Sequence, residues 1–252
     1  MLGKILSISL LVFIGITFPL FYLGALVIWL LTYHLDSHLR LLHYYTCFWA
    51  STYTWVMPTW RIKIEGKENY RKDATYVIIS NHQSQLDILI HFRLFFFYKI
   101  VSKSEMFRVP FMGWNMRLNR YIELVRGSKD GVKKMMEDCD KTLGKGNSVF
   151  IYPEGTRSPD GEIKDFKLGA FILAHKDRLP ILPIVLTNTG KALPKWKMNT
   201  SGIHRIRMRV LEEIPYEQFA NLTVQETADL VRRIMIAELA RLNAEINLNK
   251  RT

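Results

Sequence analysis

The chain has 252 residues and a formal net charge of +12, from 35 basic and 23 acidic side chains. A charge of this size suggests an anionic partner such as nucleic acid, anionic lipid headgroups or a phosphorylated substrate. The sequence has long apolar segments but no zinc-finger spacing and no heptad-linked basic helix, which argues against nucleic acid and favours a lipid surface.

Two stretches near the amino terminus, Ile5–Leu35 and Leu41–Trp60, contain no Asp, Glu, Lys or Arg. The first is longer than the roughly 20 residues that span a bilayer and than the apolar core of a secretory signal, and Pro19 predicts a kink in it. The second is rich in Tyr and Trp, which favour the headgroup interface. Residues 1–60 are therefore predicted to form a two-helix membrane element. It is either a transmembrane hairpin or a pair that dips into one leaflet, and the alternative for the second stretch is a buried core helix.

Basic side chains follow the second stretch closely. They are Arg61, Lys63, Lys67, Arg71 and Lys72. The positive-inside rule then predicts that the following domain, residues 61–252, lies on the cytoplasmic face of the membrane, which is the inner membrane if the source is bacterial.

Histidines and cysteines give little support for a metal site. His34, His38 and His43 are spaced so that some share a helix face, but one nearby carboxylate does not complete a ligand set, and interfacial histidines are the simpler interpretation. Cys47 and Cys139 are too few for a disulfide framework or a zinc site. We expect no metal and no cofactor.

From Trp60 onward, short apolar runs alternate with longer amphipathic segments, which predicts an α/β fold. Helices are expected over Lys129–Leu143 and from Thr223 to about Asn247, where Glu226 completes a capping-box pattern. Strands are expected at Arg61–Glu65, Thr75–Ser80, Phe96–Ser102, Tyr121–Val125, Ser148–Tyr152, Pro180–Thr187 and Arg205–Leu211.

The segment Asn81–Asp87 stands between a predicted strand and a new apolar run. His82 is therefore expected at the carboxyl end of a strand and Asp87 in the first turn of a helix, which is where ligands bind in open α/β sheets. In a continuous helix, residues five apart point about 140° away from each other. Across a strand-to-helix turn the two side chains can meet.

A histidine beside a carboxylate suits the attack of an alcohol on a thioester. Imidazole can take the hydroxyl proton near neutral pH, and a carboxylate on its other nitrogen fixes the tautomer and stabilises the imidazolium. Taken alone, however, His82 could be an ordinary loop histidine. Asp87 could simply favour a helix N-terminus with Ser84 as its cap.

A second element, Tyr152–Ser158, is again a strand followed by a turn. Gly155 permits close backbone approach, Thr156 offers a hydroxyl, and Arg157 offers a planar fork suited to phosphate. The alternative is a plain turn with a surface arginine.

Together these segments resemble the glycerolipid acyltransferase family, whose best-known members acylate lysophosphatidic acid. The resemblance covers about residues 75–190 and rests on four ordered blocks. They are Asn-His-x-x-x-x-Asp at Asn81–Asp87; a Lys-x-Glu-Leu-x-x-x-Pro-x-x-Gly pattern matched by Lys103, Glu105, Met106, Pro110 and Gly113; Phe-Pro-Glu-Gly-Thr-Arg-Ser with Tyr152 in place of Phe; and a proline-containing strand at Leu182–Val185. The resemblance implies a mixed, largely parallel sheet flanked by helices and preceded by a two-helix membrane element.

The resemblance also implies roles for particular residues. His82 would be the general base and Asp87 its orienting partner. The acceptor and its phosphate would be bound by Lys103, Arg126, Glu154, Gly155, Thr156 and Arg157. This chain departs from the family pattern at Arg120, where a glycine is usual. The extra charge could favour an anionic headgroup or point into solvent.

The function that follows is transfer of a fatty acyl group from an acyl thioester to 1-acyl-sn-glycerol 3-phosphate, giving phosphatidic acid. The donor is acyl-CoA or acyl carrier protein. Another lysolipid acceptor and a non-enzymatic anionic-lipid-binding membrane protein are the alternatives. A hydrolase is disfavoured because the sequence has no Gly-x-Ser-x-Gly elbow.

Overall fold

The structure is a computed structural model that describes residues 2–158, 160–194 and 202–248. Backbone proximity divides the chain into two compact units. The first combines Met1–Met57 with Leu89–Val149, and the second combines Pro58–Ile88 with Phe150–Thr252. The predicted division into residues 1–60 and 61–252 concerns membrane attachment and stays a prediction.

The described residues form alternating helices and strands. The helices are α1 (Leu2–Thr32), α2 (Arg40–Trp55), α3 (Leu86–Phe92), α4 (Met112–Leu118), α5 (Lys129–Leu143), α6 (Gly169–Asp177), α7 (Thr189–Ala192) and α8 (Val224–Leu248). The strands are β1 (Trp60–Glu65), β2 (Val77–Ser80), β3 (Lys99–Lys103), β4 (Ile122–Leu124), β5 (Val149–Ile151), β6 (Ile181–Thr187) and β7 (His204–Val210).

The second unit contains a mixed sheet in the order β1-β7-β6-β2-β5. β1 runs parallel to β7 and β2 parallel to β6, whereas β6 and β7 are antiparallel. Every residue of β2 and β6 is buried, as the continuous apolar runs predict for strands covered on both faces. α6 packs against β2, and α8 packs against both β6 and α6. This arrangement confirms the predicted fold class.

Two predicted helices are confirmed with their ends. α5 begins and ends at the predicted residues, Lys129 and Leu143. α8 follows the predicted capping box: the Thr223 N–H donates to the Glu226 carboxylate at 2.7 Å, and the Glu226 N–H donates to Thr223 Oγ1 at 3.2 Å.

The predicted strands are also confirmed, with ends within two residues of the prediction except at one start. The strand expected from Phe96 begins at Lys99. Phe95 has a positive φ of 56°, a left-handed conformation that interrupts extended backbone. The apolar run therefore includes a turn that its composition does not reveal.

In the first unit, α1 and α2 pack through aromatic rings. Phe21 stacks on Trp49 with centroids 5.6 Å apart, and Phe18 meets Trp49 edge-on at 5.5 Å. Within the described residues, one helical segment, Ile5–Thr32, is long and apolar enough to cross a membrane by length and composition. α2 has 16 residues, or about 24 Å of helix against the roughly 30 Å of a bilayer core. Whether the helix pair spans the membrane or dips into one leaflet stays a prediction.

One face of α2 is built into the first unit, which agrees in part with the core-helix alternative. The ring of His43 is fully buried and bonds to the hydroxyl of Tyr121 at 2.9 Å and to the carbonyl of Phe96 at 2.7 Å. His38 Nδ1 lies 2.6 Å from Asn147 Oδ1. Across the described ranges, no three His, Cys, Asp or Glu side chains are grouped to hold a metal ion.

Candidate active site

The loop that carries the predicted histidine is anchored at the end of β2 by Asn81. Its side-chain amide donates to the carbonyl of Leu186 and accepts from the Leu186 N–H, both at 2.9 Å. The Asn81 amide thus bonds to the β6 backbone as a further β2 residue would, although the β2 strand has ended at Ser80. Asn81 thereby fixes where the following loop leaves the sheet.

His82 and Asp87 meet across the strand-to-helix turn, as predicted. Nδ1 of His82 lies 2.7 Å from Oδ2 of Asp87. The Asp87 side chain is completely buried, whereas the imidazole is 12% exposed. Asp87 stands in the first turn of α3, so the geometry required for a base and its orienting carboxylate is present.

Further donors hold the Asp87 carboxylate. Oδ2 also accepts the backbone N–H of Gln83 at 2.6 Å and that of Ser84 at 2.8 Å. Oδ1 accepts the hydroxyl of Thr189. The negative charge is therefore balanced by donors from its own loop and from the start of α7.

Glu154 has a contact that the sequence did not indicate. Its Oε1 accepts the backbone N–H of His82 at 2.8 Å, and its Oε2 accepts the N–H of Lys164 at 3.1 Å. Glu154 is 4% exposed. Burial raises the pKa of this carboxyl, and the hydrogen bonds from the two backbone N–H groups oppose that rise. In this structure the carboxylate holds two loops, one of which carries the histidine.

Two more contacts fix the His82 loop to the second predicted element. The Ser158 N–H donates to the His82 carbonyl at 2.7 Å. The Tyr152 ring stacks on the imidazole with centroids 4.1 Å apart and planes 22° apart. The tyrosine that replaces the usual phenylalanine thus retains the flat ring that covers the histidine.

The turn after Tyr152 has the predicted character. Gly155 adopts a φ of 67°, in the left-handed region that favours glycine. Thr156 is exposed and Arg157 is half-buried. Their predicted contact with the acceptor stays a prediction.

Lys103 and Arg126 belong to the first unit, and the structure brings them to the same end of the β3–β4 pair. These strands are parallel, and Lys103 is the partner of Leu124. Arg126 follows two residues later and is exposed. The pKa of Glu105 is lowered, first by its own backbone N–H and further by the charges of Lys103 and Arg126, so both cations lie near that carboxylate.

Arg120 lies at the other end of the same strand pair. Because β4 begins at Ile122, beside Val101 of β3, Arg120 precedes the pair at its amino end. Burial lowers the pKa of Lys99, the first residue of β3, and the charge of Arg120 lowers it further. Arg120 has a φ of 53°, which explains why glycine suits this position. The charge is therefore away from the Lys103 end of the pair.

Sequence reasoning missed Asn81 and Thr189 as parts of this site. Asn81 is visible in the motif, but its role depends on β6 lying beside β2. Thr189 is 102 residues from Asp87, and its only local signal is its place two residues after a buried strand.

His82 and Asp87 stand at the carboxyl end of a parallel strand, and the turn after β5 holds the His82 loop. Ligands bind at this end of α/β sheets, and a histidine paired with a carboxylate suits removal of a proton. The family model described as Acyltransferase matches residues 61–187, which include His82, Asp87 and Tyr152–Ser158. The chain belongs to the acyltransferase family.

Named relatives agree with this assignment. A chloroplastic 1-acyl-sn-glycerol-3-phosphate acyltransferase of Brassica napus is 37% identical over 202 residues, covering 79% of this chain and 58% of that protein. A 1-acyl-sn-glycerol-3-phosphate acyltransferase of Saccharomyces cerevisiae is 33% identical over 76% of this chain and 64% of that protein. The chain thus spans less than two thirds of the length of these relatives.

A solved structure shares the fold. The crystal structure of the 1-acyl-sn-glycerophosphate (LPA) acyltransferase PlsC from Thermotoga maritima matches with a TM-score of 0.76 and 23% identity, over 96% of each chain.

Proposed function

We propose that this chain transfers a fatty acyl group from an acyl thioester to the free hydroxyl of 1-acyl-sn-glycerol 3-phosphate and so forms phosphatidic acid. The observation that carries the proposal is the 2.7 Å bond between His82 Nδ1 and the buried Asp87, inside the segment that matches the family. The names of the relatives supply the substrate class.

In the proposed reaction, Asp87 holds Nδ1 protonated, so Nε2 of His82 takes the proton of the attacking hydroxyl. The hydroxyl oxygen bonds to the thioester carbon, a tetrahedral intermediate forms, and the carbon–sulfur bond breaks. The proton on His82 then passes to the leaving thiolate. No side-chain nucleophile is needed because the acceptor hydroxyl itself attacks.

The proposed phosphate ligands are Lys103, Arg126 and Arg157, with Glu154, Gly155 and Thr156 shaping the acceptor site. Three cations suit a phosphate monoester because charge-assisted bonds to phosphate are the strong ones. For Glu154, the bonds to the backbone of His82 and Lys164 support a second role, which is to position the loop that carries the base.

The proposed donor is acyl-CoA or acyl carrier protein, both of which present a phosphopantetheine thioester. The net charge of +12 suits either anionic donor. The proposed location is the membrane, with α1 as the anchor and the catalytic residues on the cytoplasmic face. The apolar segment Ile5–Thr32 supports attachment, and the basic residues after Trp60 support the orientation.

The test uses the full chain in membranes with radiolabelled acyl thioester and 1-acyl-sn-glycerol 3-phosphate. Separate arms contain acyl-CoA and acyl carrier protein. We expect labelled diacyl product that falls to background in His82→Ala and persists in His34→Ala, an exposed histidine that serves as the matched control. Unchanged product formation in His82→Ala would overturn the mechanism, and release of free fatty acid would replace transfer with hydrolysis.

A headgroup test addresses the acceptor. We expect Arg126→Gln to raise KM for the lysophosphatidic acid about 10- to 100-fold, the order expected for one charge-assisted hydrogen bond, and to leave KM for the donor unchanged. Arg120→Gln is the matched control because Arg120 lies at the opposite end of the β3–β4 pair. An equal rise in KM for Arg120→Gln would place the phosphate elsewhere.

A further inference from the structure

The hydroxyl of Thr189 donates to Oδ1 of Asp87, on the side of the carboxylate that does not face the histidine. Both side chains are completely buried. Oδ2 already accepts from His82 and from the backbone of Gln83 and Ser84. Thr189 therefore donates to Oδ1, whereas His82, Gln83 and Ser84 bond to Oδ2.

The place of Thr189 is fixed by the turn that precedes it. Asn188 has a φ of 68° and leads from β6 into α7, of which Thr189 is the first residue. The Asn188 side chain donates to the carbonyl of Arg205 at 3.0 Å. The left-handed turn and its bond to β7 thus aim the Thr189 hydroxyl at Asp87.

A second bond joins the same two segments. Ser84 Oγ donates to the carbonyl of Leu193 at 2.6 Å, and the Leu193 N–H donates back to the Thr189 carbonyl at 2.8 Å. The Thr189 hydroxyl also lies 3.5 Å from Gln83 Oε1, so several contacts hold the loop that carries His82 against the short α7. Of these contacts, the Thr189 hydroxyl bond is the one made to the carboxylate.

We propose that Thr189 is a positioning residue that locks the rotation of the Asp87 carboxylate and, through it, the orientation and tautomer of the His82 ring. Without the hydroxyl, Oδ1 lacks this donor and the carboxylate can turn away from the single geometry in which Oδ2 meets Nδ1. In this proposal Thr189 acts through Asp87 and His82, not on the acceptor or the thioester. This inference rests on the acyl transfer proposed above.

The experiment compares Thr189→Val, which keeps the shape and removes the hydroxyl, with Thr189→Ser, which keeps the hydroxyl. Thr187→Val is the matched control, because Thr187 is also buried but donates to Asn243 Oδ1. We expect kcat to fall about tenfold in Thr189→Val with KM for both substrates unchanged, the order expected for one hydrogen bond. Thr189→Ser and Thr187→Val should keep kcat within about twofold of the unmodified chain.

A second measurement does not depend on turnover. In micelles, the ¹⁵N signals of labelled histidine report the ring tautomer, and His82→Ala assigns the His82 signals. We expect one tautomer with Nδ1 protonated in the unmodified chain and in Thr189→Ser, and a mixture in Thr189→Val. Wild-type kcat with one tautomer in Thr189→Val would overturn the inference, as would an equal loss of kcat in Thr189→Ser. If the unmodified chain forms no diacyl product, the proposed function fails, and the tautomer comparison alone decides the role of Thr189.

Discussion

Asp87 in the second unit and Lys99 in the first are both ionisable side chains that the fold encloses almost completely, with exposures of 0% and 4%. Asp87 accepts from an imidazole, a hydroxyl and two backbone N–H groups. Lys99 donates to two neutral carbonyls, those of His38 and Asn119, both at 2.9 Å. One charge is surrounded by several donors that converge on it, whereas the other has few partners.

The difference shows in the electrostatics of the lysine. Burial lowers the pKa of Lys99 to about 7, the positive charge of Arg120 adds to that fall, and Asp36 partly offsets it. A buried ammonium with neutral partners is costly. The donors around Asp87 hold its carboxylate in one place, which suits the orienting role proposed for it. Lys99 links the loop before α2 to the residue before Arg120. Because its pKa is about 7, its ammonium can lose a proton near neutral pH.

The largest expected effect follows from replacing Asp87, the charge with more hydrogen-bond partners. In Asp87→Asn, an amide NH₂ must face at least one of the donors that converge on the carboxylate, and a neutral amide does not stabilise the imidazolium. We expect kcat to fall about 10³- to 10⁴-fold. The measurement is initial rate at saturating substrates, with Asp229→Asn as the exposed control. Retention of a tenth of the activity in Asp87→Asn would mean that the carboxylate does not act through His82.

A smaller effect is expected at Glu154, whose two oxygens accept the N–H groups of His82 and Lys164. In Glu154→Gln the amide nitrogen must oppose one of these donors. We expect kcat to fall about 10- to 100-fold, since a buried donor left without an acceptor costs about 1–3 kcal/mol. Glu162→Gln, an exposed residue nearby, is the control. A rise in KM for the acceptor with unchanged kcat would instead favour the binding role that the family resemblance implies.

The sequence predicted the parts of the site that depend on local order along the chain. The meeting of His82 and Asp87 follows from a strand, a turn and a helix in succession, and the buried run of β2 made the strand clear. The contacts of Glu154 and Thr189 could not be predicted in the same way. They join residues 72 and 102 positions apart and depend on which strands become neighbours.

Arg120 and Lys99 show a second limit. The sequence marked Arg120 as a departure from a glycine position but gave no conformation, whereas the structure supplies the positive φ that explains the glycine. Lys99 stood in a predicted strand, where alternation alone does not indicate that an ammonium will be enclosed. Its burial depends on the loop before α2 and on the residue before Arg120, whose carbonyls accept hydrogen bonds from its ammonium.

The smallest expected effect concerns Lys99, the buried charge with fewer hydrogen-bond partners. The pKa of Lys99 is about 7 in the folded chain and 10.5 by its ordinary value, so between these values the unfolded chain binds more protons than the folded chain. The free energy of unfolding therefore rises with pH across this window, by at most about 1.4 kcal/mol per pH unit. We expect the thermal midpoint in one detergent to rise by a few degrees more between pH 7 and 9 in the unmodified chain than in Lys99→Met. Lys133→Met, an exposed lysine, should keep the dependence. If Lys99→Met keeps the pH dependence of the thermal midpoint, the buried lysine is not the source of that dependence. Lys99 and Asp87 would then differ in their place in the fold but not in how well their charges are stabilised.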